Sequence, residues 1–457
     1  MLHLLLYADE VTPGNPLAHK TARKVWCLYA SIKEFNTQLQ NEHAWVTLCC
    51  VRSSTVSELD GHLSQLVKAI LCNIFQSQVC SMDVGLLLTE PAGCFQPKPH
   101  KRLSLKMGFM IMDGQASKFT MSSKGDSGSR FCMLCRNVFL AGDTQDNDEG
   151  FVAEVSAYAK HNQLSLTEDA EIYQSWQRLQ ERSRTCSRAD FNMWQQAAGM
   201  TWSEHAMLND LQMQQVVQPC TMIFHDWMHA LLSNGILNIA IHNVLEELSL
   251  WSSFSGYIAH WKLPAAFKGI SIKQLFDSKR VDKHRKSQKI NCTASEMLSL
   301  VPIMAHYLRN VCPNRLESLP VLLLSKLVDM LQATWQKRIQ PEELLDVVEA
   351  SLEAWKNAGW KMIKKHHWLL HLPDSYRRHQ LICNCFVMER KKKTIGRVAT
   401  AIQNTLTYET SIHQEVVTAE LMKVSEKDCF SSELCLLKSK AAPKKCLTLL
   451  LGFGVHA

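Results

Sequence analysis

Asp9, Asp113 and Glu296 are the side chains of this sequence with the most chemistry to offer together. Asp9 closes the apolar run 2–7, and Asp113 closes the apolar run 103–112. Carboxylates at the mouths of adjacent strands, drawn from distant parts of a chain, can bridge two divalent cations about 3.5–4 Å apart. Such a pair activates a water or a 3′-hydroxyl and stabilises the leaving oxygen of a phosphodiester. Glu296 sits in the segment Thr293-Ala294-Ser295-Glu296, opens a helical apolar pattern and can complete the site. Glu10 is an alternative to Asp9, but neighbouring strand residues point to opposite faces, so one of the two faces the site. Glu246, Glu247, Glu342 and Glu343 are alternatives to Glu296.

A second chemistry belongs to sulfur. Cys132 and Cys135 form a C-x2-C pair, which is half of a zinc site. His229 is the best partner, and His225 or Asp226 can supply the fourth ligand. The plainer alternative is a pair of buried thiols beside a core histidine. The stretch His367-Trp368-Leu369-Leu370-His371 spaces two histidines four apart, without the acid that accompanies them in a zinc protease motif.

Around these residues the chain reads Lys124-Gly125-Asp126-Ser127-Gly128-Ser129-Arg130-Phe131-Cys132-Met133-Leu134-Cys135, and later His225-Asp226-Trp227-Met228-His229. An Asp at a strand end, then KG.SG...C..C, then D..H before a long helical region, resembles the catalytic core of eukaryotic cut-and-paste transposases. The likeness is to the CACTA-like group and its relatives, the Plavaka and Kyakuja–Dileera–Zisupton elements, over about residues 1 to 400. It implies a ribonuclease-H-like mixed α/β sheet with a large helical insertion and a helical C-terminal part. It also implies a D-D-E triad of Asp9, Asp113 and Glu296 holding Mg²⁺ or Mn²⁺. The C..C and D..H segments are recurrent in that group, which places Cys132, Cys135, Asp226 and His229 near the core with one structural Zn²⁺. The HWLLH stretch resembles one that follows the Glu in those families.

Composition is compatible with an intracellular nucleic-acid enzyme. At 457 residues the chain can bury a large core, and with 20% charged residues it is not broadly disordered. Seventeen Cys without a regular framework argue against a secreted disulfide scaffold, so a reducing compartment is expected. The apolar start, residues 1–7, is too short for a signal peptide, and no stretch reaches the ~18 uncharged apolar residues of a membrane span. The net charge of +7 is concentrated. Residues 361–400 carry ten Lys or Arg against Asp374 and Glu389, and residues 279–289 carry six against Asp282. Such clusters suit phosphate backbones, which makes Arg390, Lys391, Lys392, Lys393, Arg285 and Lys286 candidate DNA contacts. A solvated basic face or a nuclear-import signal would look the same.

The elements that must position these groups follow from period and punctuation. Strands are expected over 2–8, 44–51 and 103–112, a short helix over 20–35, and a longer one over 57–75. Residues 114–128 look like a loop, and 141–150 like an exposed junction. From 151 onward helical spacing dominates: 164–188, 191–198, 225–250, 294–309, 321–339 and 342–357. The Trp series in this region is expected to be core rather than a base-stacking platform. The organisation expected is an N-terminal half-core with the C-x2-C pair (1–140), a helical insertion (141–290), a C-terminal half-core with the basic segment (291–400) and a tail of unknown role (401–457).

The function expected is that of an element-derived DDE transposase-like protein, nuclear, cutting and joining DNA with bound metal and able to form homo-oligomers. The alternative is a domesticated or degenerate DNA-binding protein of the same fold. A nuclease acting on RNA or single strands shares the metal chemistry. A start at the first strand, without the N-terminal DNA-recognition domain of full transposases, is expected of a fragment or a decayed element copy.

Overall fold

The computed structural model describes residues 1–13, 23–77, 81–82, 84–88, 101–139, 160–262, 272–404 and 406–425. At its centre is a five-stranded mixed sheet. Strands β1 (Leu2–Val11), β2 (Val25–Ile32) and β3 (Val46–Arg52) form an antiparallel meander. After a small two-stranded ribbon, β4 (Leu86–Leu88) with β5 (Lys101–Leu103), the strand β6 (Leu105–Met112) returns parallel to β1. β7 (Ile223–His225) adds to it in parallel, giving the order β3-β2-β1-β6-β7. The mixed sheet and many helices agree with the expected α/β class.

Burial on both faces explains why β1 reads as an unbroken apolar run rather than an alternating one. Leu5, Tyr7, Cys27, Tyr29, Phe109 and Ile111 pack on one face with the helices of the C-terminal half. Leu4, Leu6, Ala8, Leu28, Met110 and Met112 pack on the other with the helix α1 (His62–Phe75). The two-residue period therefore sends Asp9 and Asp113 to the first face and Glu10 to the second, where it pairs with Lys24 at 2.8 Å.

Two local expectations are corrected. The helix expected over 20–35 is β2 from Val25, followed by a 3-10 segment (Lys33–Gln40); residues 20–22 lie outside the described residues. Buried on both faces, β2 shows no strand alternation, and its β-branched and aromatic content was the usable signal. The loop expected over 114–128 contains the helix α2 (Gly114–Thr120), because Asp113 caps it: its Oδ1 accepts from Ala116 N at 2.7 Å. The junction expected at 141–150 lies outside the described residues.

The helices follow the expected periods with sharper ends. They are α3 (Asp169–Thr185), α4 (Arg188–Ala198), α5 (Trp227–Leu231), α6 (Ile236–Glu247), α7 (Trp251–Ala259), α8 (Ser278–Ser287), α9 (Ala294–Val311), α10 (Leu319–Ala333) and α11 (Pro341–Asn357). Then come α12 (Lys364–Leu369), α13 (Leu372–His379), α14 (Phe386–Ala401) and α15 (Tyr408–Ser425). The span 225–250 breaks at Gly235, where a Cβ would meet the Leu231 carbonyl carbon at 2.3 Å. Asn238, fully buried, accepts from Gly235 N at 2.8 Å and donates to Ile290 O at 2.7 Å, so both turn groups are satisfied. In the tail, α15 lies along the edge strand β3, and Glu420 accepts from Thr47 N at 2.9 Å. That contact occupies an outward backbone donor that would otherwise invite strand pairing.

His161, ahead of α3, clasps Asp374 in α13 with Nε2 and Oδ2 2.5 Å apart. The carboxylate holds the imidazole above the ordinary His range. Burial pushes the Asp374 carboxyl up, but the His161 contact outweighs it and leaves the carboxyl below its usual value. The His share of this stability is complete below about pH 6.5 and fades as pH rises through the raised value. The Asp share is complete above about pH 4 and fades as pH falls through the depressed value. Asp374→Asn should therefore cost about 1 kcal/mol near pH 5.5 and less at pH 9, read by urea denaturation. An equal cost at both pH values would mean that the contact is not ionic.

Candidate functional site

Parallel pairing sets the site. Ala8 is in register with Met112, and Met112 with His225, so the next residues, Asp9, Asp113 and Asp226, stand side by side at one edge of the sheet. Asp9 is buried, 5% exposed, and accepts from Tyr7 Oη at 3.1 Å. Lys392 Nζ lies 3.0 Å from Asp9 Oδ1 and 2.9 Å from its Oδ2. Burial raises the Asp9 carboxyl, Lys392 pulls it back, and the charges of Asp113 and Glu389 add to the rise. The net direction is upward.

Glu389 is the acid that faces this pair. It stands in the first turn of α14, a helix that packs against β1, and Lys392 follows one turn later. Its Oε1 is 3.7 Å from His229 Nε2. Glu296 caps α9, its Oε2 accepting from Thr293 N at 2.8 Å and Thr293 Oγ1 at 2.9 Å. That is a capping box, and the Ser/Thr-x-x-Glu spacing at 293–296 was its signature. Glu389 was visible in the sequence only as an acid diluted in a basic run.

Asp226 is saturated. Oδ1 accepts from Met228 N at 3.2 Å and Cys385 N at 3.1 Å, and Oδ2 from His229 N at 3.0 Å. The fourth contact, His229 Nδ1 at 2.5 Å from Oδ2, turns the other ring nitrogen toward Glu389. Burial alone would lower the His229 pKa, but Asp226 outweighs it and the net shift is upward. Behind the ring, Lys365 Nζ donates to His229 O at 2.6 Å and Asn234 O at 2.8 Å. Burial pushes this lysine down to about 8.

The C-x2-C pair finds other partners than those expected. Cys132, Cys135, His367 and His371 are all buried, and their ligand atoms lie within 4.8 Å of one another. Sγ of Cys135 is 3.6 Å from His367 Nε2 and 3.4 Å from His371 Nε2, and Sγ of Cys132 is 3.5 Å from His371 Nε2. The two imidazole nitrogens are 3.0 Å apart. A tetrahedral zinc with ordinary bond lengths requires about 3.5 Å between S and N and about 3.3 Å between two N, so the donor set fits that ion. A hydrogen bond with the Cys132 thiol, and then burial, push the Cys135 thiol up, while burial pushes His371 down to about 4. Burial opposes ionisation of Cys132 too, but its bond to Cys135 and the adjacent imidazoles bring it well below the usual thiol value. His229 and Asp226, the expected ligands, belong instead with Cys385 in a separate cluster. His225 remains close by, its ring 5.6 Å from that of His371 and stacked on Trp368 at 5.5 Å.

The basic run is another correction. Consecutive helical residues project about 100° apart, so 390–393 cannot share a face. Arg390 pairs with Glu42 at 2.9 Å, and buried Lys391 donates to Trp45 O at 2.8 Å and to Glu420. Lys392 serves Asp9, while Lys393 is exposed. On α8, Arg285 grips Glu246 at 2.7 and 3.0 Å, and Lys286 is exposed.

No protein-family model matches this sequence, and no curated protein matches it. The protein should purify with one zinc per chain, measured by elemental analysis. His367→Ala or Cys135→Ser should remove the ion and cost several kcal/mol of stability, because a ligand cluster that binds the folded state contributes its binding energy to folding. A zinc-free protein whose stability is untouched by a chelator would leave four buried side chains and no metal site.

Proposed function

We propose that this chain is a ribonuclease-H-like core of the cut-and-paste transposase type, cutting and joining DNA with divalent metal. The observation that carries the reading is the parallel register that sets Asp9 beside Asp113, with Glu389 on the helix packed against β1. The sheet order β3-β2-β1-β6-β7, three antiparallel strands followed by two parallel ones, supports it. Oxygen donors from three carboxylates suit Mg²⁺ or Mn²⁺, whereas sulfur and imidazole suit zinc. Asp9, Asp113 and Glu389 would hold such ions, which would supply activation of the attacking oxygen and stabilisation of the leaving one.

The chain's own groups then have distinct tasks. Lys392 neutralises Asp9 in the free protein; its side chain is 32% exposed, so it can swing to a phosphate and release the carboxylate. Asp226 has no free lone-pair direction for a metal and instead orients His229, whose Nε2 lies on the Glu389 side. A zinc ion held by Cys132, Cys135, His367 and His371 would tie the 132–135 loop to 367–371, just ahead of the segment leading into α14. DNA backbone contacts fall to exposed charges such as Lys393 and Lys286 rather than to the whole basic run.

One observation favours a second reading, a DNA-binding protein without catalysis: Asp9 already holds an internal cation. Nicking of supercoiled plasmid with Mg²⁺ or Mn²⁺ decides between them. Asp113→Asn and Glu389→Gln should abolish nicking while leaving duplex affinity within about threefold, since they remove metal ligands and no phosphate contact. Glu296→Gln should nick normally and lose about 0.5–1 kcal/mol of stability through its cap. Wild type that binds DNA and never nicks it would establish the second reading. An inactive Glu296→Gln beside an active Glu389→Gln would return the third acid to Glu296.

A further inference from the structure

Beside Asp113 the surface opens into a cleft of about 490 Å³ that the acids themselves do not fill. That volume falls within the ~300–1,000 Å³ of small-molecule pockets. Its walls include Trp368, Phe119, Lys118, Lys365, His229 and Asp113. Trp368 is half-buried, and its indole lies over Gly114, where a Cβ would come within 3.1 Å of the ring. The glycine leaves that room directly after Asp113. Phe119, from the last turn of α2, is 37% exposed and lines the cleft, one edge packed against Trp26. Lys118 is held toward the 125–127 turn by a 2.9 Å bond to Ser127 Oγ. Two aromatic side chains, the Lys118 ammonium and the Asp113 carboxylate thus share one concavity, while the Lys365 ammonium is spent on the carbonyls of His229, Ser233 and Asn234.

We infer that this cleft takes a single unstacked nucleotide of the DNA strand, its base against Trp368 and Phe119 and a flanking phosphate near Lys118. The inference rests on the DNA reading above and adds to it a site for a base. Aromatic faces bind any base by stacking, and ammonium groups match a phosphodiester, so the lining is complementary to both halves of a nucleotide. A base inside a duplex cannot enter, because it is sandwiched between its neighbours; the strand must turn the base out first. The cost of turning out falls for a base that is already unpaired. The cleft is therefore a device that prefers distorted or unpaired DNA next to the cutting centre.

The test uses the full chain in Mg²⁺-free buffer with two duplexes of equal length. One carries a single unpaired 2-aminopurine as a bulge, and the other carries the same base paired with thymine. Fluorescence reports stacking, and a titration reports affinity. Wild type should bind the bulged duplex roughly 5- to 100-fold more tightly and quench its fluorophore. Trp368→Ala should erase most of that preference while leaving affinity for the paired duplex unchanged, and Trp368→Phe should recover part of it. Because Trp368 neighbours the Cys/His cluster, Phe119→Ala on α2 provides an independent variant with the same expected loss. Equal affinity for the two duplexes in wild type, or a preference that survives both alanine variants, overturns the nucleotide site while the acid site stands. Failure to bind either duplex at low salt overturns the DNA reading and this inference with it.

Discussion

Asp226 takes four hydrogen bonds on two oxygens, and the site's geometry hangs on them. Two come from backbone N–H groups of α5, which makes the carboxylate the cap of the helix that follows β7. A third comes from His229 and fixes its ring. The fourth comes from Cys385 N, at the start of the helix that carries Glu389 and Lys392. A buried carboxylate must be satisfied or it destabilises the fold, so these four donors cannot drift independently. One charge therefore locks the end of the parallel sheet to a helix that begins about 160 residues later.

Two kinds of donor sit close together without mixing. The oxygen donors lie toward the ends of the parallel strands, where Asp9 pairs with Lys392 beside Asp113. The sulfur and nitrogen donors lie in a closed, fully buried knot. Hard and soft ions would sort themselves accordingly, because carboxylates suit magnesium and manganese while thiolates and imidazoles suit zinc. The knot also brings the loop after α2 against the α12–α13 corner, the two walls between which the Asp113 cleft opens, and a zinc ion held there would crosslink them.

The basic run at 390–393 shows how a charge pattern changes meaning once it is wound into a helix. Read linearly it is a phosphate-binding cluster, but on α14 its members diverge to Glu42, Glu420, Asp9 and solvent. Three of the four act inside the protein. Lys391 even serves as a buried connector between Trp45 O and Glu420. The electrostatic role of the run is therefore mainly to seat a helix against a sheet edge that carries acids.

Sequence alone determined the features written in short-range patterns. The strand end at Asp113, the helical periods after residue 160 and the C-x2-C half-site were legible, because apolar period and residue type are local properties, whereas β1 runs past Asp9 to Val11. Tertiary structure alone decided which distant groups join them. His367 and His371 complete the cysteine pair instead of His229. Glu389 faces Asp9 while Glu296 caps its own helix. Strand β2 hid its identity because both of its faces are buried. The common physical reason is that parallel strand register and helix docking bring together residues hundreds of positions apart. Spacing along the chain carries no record of that approach, since a histidine pair or a lone glutamate looks the same whether it meets a partner or only water.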